Sequence, residues 1–347
     1  MIRSLCTLSV LPVLTLVACS GKDDSGDTGG NGGNGGDGTC GVTVDSTIPS
    51  EGSTDAYYRA NVEFALSDAD ATATLTTDIA GHQETSEDGL TVMWVLDAPM
   101  SSSTPYTATL DYCGGSVTLS FTTSELGTPM AEPESLLGRT YVVALADARI
   151  VEPPGIGSVL SSYLTQDILL GVSEVSSGSL GIIGAIAKAD VSPDEQDYCD
   201  PTIPFPAADF SAQPYFTVGP QTTTLSVAGY DIEIGDLNIT GTFAPDGTYF
   251  DGGTLSGTID TRPLAPLIDD SGDEGAICDL AINFGAECEA CPSDGQPFCL
   301  TLVADQILAE ELDGVTLIEV GGNNCMGCES PTETTDLSDT CEVDPNL

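Results

Sequence analysis

From residue 40 onward, apolar residues alternate with polar ones in short runs, the period-two signature of strands buried on one face. Val62, Phe64 and Leu66 alternate with Asn61, Glu63 and Ala65. Val92, Trp94 and Leu96 share one face of a second run, Tyr106, Ala108, Leu110 and Tyr112 of a third, and Val117, Leu119 and Phe121 of a fourth. Asp88-Gly89, Ser101-Ser102-Ser103 with Pro105, and Gly114-Gly115 supply turn chemistry between them. Strands this short and this closely spaced predict a β-sandwich over 40–124. His82, the single histidine, lies in a stretch, 80–89, that reads as a polar loop.

Residues 125–134, with Gly127, Pro129 and Pro133, read as a linker, and strand patterning resumes over 135–347. Tyr141 to Val151 is one long β-rich run, whereas Ile156, Val159, Leu160, Tyr163 and Leu164 have helical spacing. Ile168 to Val175 and Leu180 to Ala187 predict strands, followed by a Pro-rich excursion over 193–214. The meander 222–259 is the best-defined unit. Its apolar phase flips from even (Tyr230, Ile232, Ile234) to odd (Leu237, Ile239, Phe243), which predicts a β-bulge near Gly235. Pro245-Asp246-Gly247 predicts the turn that follows. Gly241, Gly253 and Gly257 fall on the apolar side, where they permit close packing or leave room for a guest; close packing is the simpler reading. Short helices are predicted over 262–267 and 277–284, and a final hairpin joins 300–311 to 315–320 across Asp313-Gly314. Ala304-Asp305 with Leu308 and Glu310 faintly repeats Ala146-Asp147 with Ile150 and Glu152. The predicted fold is mainly all-β: a sandwich, then a larger antiparallel barrel or sandwich with one to three short helices.

The first 39 residues break this pattern. Arg3 precedes an apolar stretch from Leu5 to Ala18, interrupted by Pro12. It is too short to span a bilayer, which takes about 20 apolar residues, but it has the layout of a secretory signal. Leu16-Val17-Ala18-Cys19 resembles the lipobox of bacterial lipoproteins. That resemblance implies a signal peptide at 1–18, cleavage before Cys19, and acylation of Cys19. Ser20, by the same resemblance, points to the outer membrane. Residues 20–38 read SGKDDSGDTGGNGGNGGDG, without one apolar side chain. A Gly-rich coil of that length reaches roughly 25 Å on average, so 19–39 is read as a lipidated cysteine followed by a tether. The partner implied is a membrane, reached through the anchor.

A second resemblance lies in Ile48-Pro49-Ser50-Glu51-Gly52, Val62-Glu63-Phe64, Ala98-Pro99-Met100, Pro105 to Leu110 and the closing Phe121-Thr122-Thr123. This frame looks like the bacterial Ig-like domains of surface-layer proteins of the SbsA type and implies a spacer or adhesive module. Cys40 and Cys113 depart from that family. Bridged, they would close a loop of about 74 residues, worth roughly 4 kcal/mol on the chain-entropy account.

Charge and cysteine content narrow the function. Seven basic residues stand against 54 acidic ones, and loss of Arg3 with the signal leaves a mature charge near −48. A surface so negative repels phosphate backbones, which excludes nucleic acid as a partner. Asp269, Asp270 and Asp273 are weak calcium candidates whose spacing does not fit an EF-hand. Of twelve cysteines, ten lie in the mature body beyond Cys19: Cys40, Cys113, Cys199, Cys278, Cys288, Cys291, Cys299, Cys325, Cys328 and Cys341. An even number in an exported chain predicts disulfides. Cys288-x-x-Cys291 with Cys325-x-x-Cys328 offers zinc as the alternative, at a spacing longer than a zinc ribbon uses. No histidine lies beyond residue 82, so a Ser-His-Asp or Cys-His site cannot form within the second domain. No Gly-x-Ser-x-Gly elbow or phosphate loop is present. The expected function is a non-catalytic envelope lipoprotein with a structural or binding role and no cofactor. Its partner would be an envelope or extracellular protein or ligand. The alternatives are a barrel holding a small apolar ligand among Ile232, Ile234, Leu255 and Ile259, and a calcium-dependent adhesion module.

Overall fold

The structure, a computed structural model, describes residues 40–143, 148–154, 167–188, 191–198, 200–227, 230–268 and 272–320, with strand residues 325–326 and 342–343. The expectations at Cys19, the tether, Ala146-Asp147, the 156–164 helix, Cys199, Cys328, Cys341, Asp269 and Asp270 lie outside the described residues.

Seven strands form the N-terminal sandwich: β1 (Val44–Ile48), β2 (Val62–Leu66), β3 (Thr74–Thr77), β4 (Gly81–Thr85), β5 (Thr91–Leu96), β6 (Pro105–Tyr112) and β7 (Gly115–Thr122). One sheet runs β1-β2-β5-β4 and the other β3-β6-β7. The two sheets, of four strands and three, enclose one core. The alternating residues of β2, β5, β6 and β7 meet as expected: Val62, Phe64, Leu66, Val92, Leu110, Leu119 and Phe121 share one core with Leu75. Trp94 packs against that core, and its indole N–H donates to the Ile79 carbonyl at 3.1 Å. The reading of 80–89 as a loop is corrected. His82 stands in β4, opposite Val95, on a strand whose side chains are half-buried or exposed and therefore show no apolar alternation.

The C-terminal strands are β8 (Thr140–Val143), β9 (Arg149–Glu152), β10 (Ile168–Ser176), β11 (Ser179–Ile186), β12 (Ile203–Pro204), β13 (Ala208–Asp209), β14 (Tyr215–Val227), β15 (Tyr230–Phe243), β16 (Tyr249–Asp260) and β17 (Cys299–Glu311). Eight of them close a ring in the order β8-β17-β16-β15-β14-β13-β11-β10, with β10 pairing back onto β8. The larger domain is thus a closed antiparallel barrel. β9 lies beside β17, with Ile150 opposite Ala304 and Arg149 opposite Asp305, so the two faintly similar segments are paired. A two-residue pair, β18 (Cys325–Met326) with β19 (Glu342–Val343), stands apart. The phase flip in β15 is a bulge: pairing with β16 shifts between Gly235 and Asn238, and Asp236 takes a φ of 51°.

An eight-stranded barrel has an interior just wide enough for side chains to fill. Tyr141, Phe216, Phe243 and Phe250 occupy it, ring against ring at centroid distances of 5.1–5.7 Å. Phe210 meets Phe243 edge-on. The Tyr141 hydroxyl donates to the Gly247 carbonyl at 2.7 Å, so this buried ring has its polar end satisfied. Gly241 is where two rings close over the backbone: a Cβ there would lie 2.8 Å from Phe216 and 3.0 Å from Phe250. At Gly257 a Cβ would come within 2.7 Å of Ile234. Close packing is therefore what these glycines serve.

The final hairpin is also corrected. β17 forms, but 315–320 is not a strand beside it, because β16 covers one edge of β17 and β8 and β9 share the other. The segment instead runs along the 196–202 stretch. The Gln196 side chain donates to the Ile318 carbonyl and accepts from the Ile318 amide, and the Thr202 amide donates to Val320 at 3.0 Å. Leu317 drops onto the barrel's outer surface against Leu169, Ala185 and Ala187.

Cys40–Leu347 is one compact unit. The linker read over 125–134 is fastened at both ends, since Leu126 is buried in the sandwich core and Met130 in the barrel core. The sandwich lies across the outer wall of β14 to β17. Tyr57 Oη is 2.9 Å from Thr242 Oγ1, and the Arg59 guanidinium sits 3.8 Å from the centroid of the Tyr215 ring. Arg149 forms a two-pronged pair with Asp305 and reaches Glu63 of β2 at 3.6 Å.

Candidate functional site

Between β16 and β17 the chain makes a cross-linked excursion that carries the densest group of predicted site residues. It leaves the barrel at Asp260, passes through a helical turn at Arg262–Leu264 and Ala265–Ile268, and then through a seven-residue helix, Ala276–Ile282. Cys278 is bridged to Cys288, and Cys291 to Cys299, the first residue of β17. With so short a helix and few apolar residues, these links hold the lobe where burial alone would not. Arg262 fixes its entrance. The guanidinium takes both oxygens of Asp260, reaches Asp294 with Nη1, and lies 5.5 Å from the Phe298 ring centroid.

The disulfide reading is thus met at six of the ten cysteines, including the Cys40–Cys113 bridge. The zinc alternative is corrected at its first half. Cys288 and Cys291 are spent in two separate disulfides and are not free thiolates. Cys325 is described only through its backbone pairing with Val343. Among the described residues, no group of three or more His, Cys, Asp or Glu side chains is placed to hold a metal. Asp273, the one calcium candidate described, accepts from the Gly275 amide at 2.9 Å in the turn that starts the helix.

Two carboxyl groups are pushed above the usual aspartate range: Asp200, by burial and by the charge of Asp197, and Asp251, by burial and by the charge of Asp55. Asp251 stands where the sandwich covers the barrel. The residues proposed to line a guest cavity meet one another: Ile232, Ile234 and Leu237 form a packed cluster with Phe205, Leu255, Ile259 and Leu264. Ile239 and Leu255 also touch the aromatic core, so the filling is continuous.

All five basic residues from Cys40 on are engaged. Arg139 pairs with Glu311, Arg149 with Asp305, Lys188 with Glu195, and Arg262 with Asp260, while Arg59 stacks on tyrosine. Anionic ligands therefore find little to bind. One open cleft of about 440 Å3 is lined by Thr248, Tyr249, Leu308, Glu310, Glu311 and Asp313. Another, of about 290 Å3, lies between Leu137, Ile183 and Leu317.

Sequence reasoning read His82 as solvated, and it is exposed, but two carboxylates hold it. Nδ1 is 3.2 Å from Asp97 and Nε2 3.2 Å from Glu84. Hydrogen bonds to Asp97 first, then Glu84, raise its pKa. Its contribution to stability is present below the ordinary histidine value and is lost as pH rises through the folded value. Because the chain has one histidine, a single imidazole resonance followed by NMR should titrate above the ordinary value in the wild type. It should move back toward that value in Asp97→Asn; an unshifted wild-type titration would contradict the pairing.

No protein-family model matches this chain, and no curated protein matches it.

Proposed function

We propose that this chain is a non-catalytic, lipid-anchored protein of the bacterial outer membrane, in which an SbsA-type Ig-like sandwich carries a β-barrel away from the membrane to meet a partner. One observation supports the reading above others. The chain enters the sandwich at Cys40, bridged to Cys113 at the turn between β6 and β7. It leaves by the opposite end of β7, where Thr123 pairs with Ala56 beside the barrel contact. Cys40 and the barrel contact therefore lie at opposite ends of β6 and β7, eight residues each, or roughly 26 Å apart at about 3.3 Å per residue.

The lipobox resemblance supplies the anchor, and the acidic surface supplies solubility. Among the described residues no helix is long and apolar enough to cross a membrane. The packed interior and the engaged arginines are consistent with a scaffold whose outer surface does the binding. The ligand-carrier and calcium-adhesion alternatives draw no support from Ile232, Ile234 or Asp273.

Expression of the full chain in a lipoprotein-processing host, followed by fractionation, tests the anchor. Wild type should remain with the membrane pellet through a high-salt wash and move to the detergent phase. Cys19→Ser should shift to the soluble or unprocessed fraction. Equal partition of the two would contradict it.

A further inference from the structure

A sandwich joined to a barrel by a linker usually turns against it, because interfaces of this kind within a chain resemble transient ones. Here the contact is built in. Thr242 is adjacent to Phe243, which points into the barrel, so its side chain points out; yet it is fully buried. Tyr57 and Tyr58 bury it, with Oη atoms 2.9 and 3.5 Å from its Oγ1. Gly252 on β16 provides the flat spot for the Tyr57 ring, since a Cβ there would lie 2.2 Å from that ring. Ala244 and Tyr249, from either side of the β15–β16 turn, pack with the sandwich core.

One group in this surface opposes its closure. Asp251, paired across the strands with Thr242, is half-buried beside the contact. Its carboxyl accepts from the Gly252 amide, and from the sandwich it feels Asp55, a charge of its own sign. Tyr249 on its own strand feels both Asp251 and, from the segment after β7, Glu125. Two arginines also stand at the junction: Arg59, over the Tyr215 ring with its Nε donating to the Tyr58 hydroxyl, and Arg149, paired with Asp305 and Glu63.

We propose that the junction is a clasp that holds sandwich and barrel as one rigid body, and that ionisation of Asp251 loosens it. The sign follows from the surroundings. Burial outweighs the opposing Gly252 amide hydrogen bond and, with the Asp55 charge added, raises the folded pKa of this carboxyl. Its favourable contribution is therefore full below the ordinary aspartate value and is lost as pH rises through the folded one. Asn, of the same shape without the charge, should stabilise the closed clasp further at neutral pH, where the wild type stays closed but less stable.

Amide residual dipolar couplings from the sandwich and the barrel, recorded on the mature protein at pH 7.5, give the rigid-body test. Wild type should fit one alignment tensor for both domains, and Tyr57→Ala should need two while each domain keeps its dispersed spectrum. Separate tensors in the wild type, or a single one retained in Tyr57→Ala, would overturn the clasp. Asp251→Asn should raise the melting temperature at pH 7.5 by roughly 2 °C or more. The gain should shrink as pH is lowered and be absent in the Tyr57→Ala background. An unchanged or lowered melting temperature, or a gain that persists without Tyr57, would remove Asp251 from the device.

Discussion

Phe243→Ala destabilises the barrel by about 3–5 kcal/mol, the cost of emptying an aromatic site in a core that cannot collapse around it. Phe243 is 1% exposed and touches four other rings, those of Tyr141, Phe210, Phe216 and Phe250. Those rings are fixed from outside. Tyr141 is tied to the Gly247 carbonyl, and Phe216 and Phe250 lean over Gly241 with no room to shift inward. A closed barrel also cannot shrink its circumference to fill a void, because the strand number sets the diameter. Urea unfolding followed by circular dichroism should show the midpoint fall with the slope unchanged. A loss below about 1 kcal/mol would mean that the interior is not the packed core described.

The second large effect is on the sandwich. Removing the Cys40–Cys113 bridge by paired alanine substitutions should cost roughly 4 kcal/mol, because 73 positions separate the two residues and the freed loop is long. Trp94, the only tryptophan, reports the sandwich directly. Its fluorescence transition should move to lower urea in the double variant, and to the same place in the reduced wild type. Superimposable curves for oxidised wild type and variant would show that the domain's entry at Cys40 is not held by this link.

How much could be read without coordinates depended on burial. β2, β5, β6 and β7 were legible because each puts Val, Leu or aromatic residues on one covered face. β1, β3 and β4 were not. Val44-Asp45-Ser46-Thr47-Ile48, Thr74-Leu75-Thr76-Thr77 and Gly81 to Thr85 lie at sheet edges, where little apolar surface is covered and polar residues suffice. The bulge at Gly235-Asp236 was legible because a single extra residue reverses the phase of every side chain after it. Barrel closure was not, since β8 pairs with β17 across more than 160 positions and no local pattern encodes that partner. The 315–320 segment misled for a related reason. Its apolar residues Val315, Leu317, Ile318 and Val320 suit a strand, but both edges of β17 were already taken. Cysteine count announced disulfides, while their pairing depended on where the helix at Ala276–Ile282 sets Cys278. The clasp at Tyr57, Thr242 and Asp251 gave no sequence signal, because its partners come from different domains.

The mass of the N-terminal peptide of the mature protein, extracted in detergent and digested without reduction, bears most directly on the proposed anchor and everything arranged beyond it. A peptide beginning at Cys19 and carrying the mass of acyl chains is the predicted result. A mature chain that starts at another residue, or at Cys19 without lipid, would contradict it.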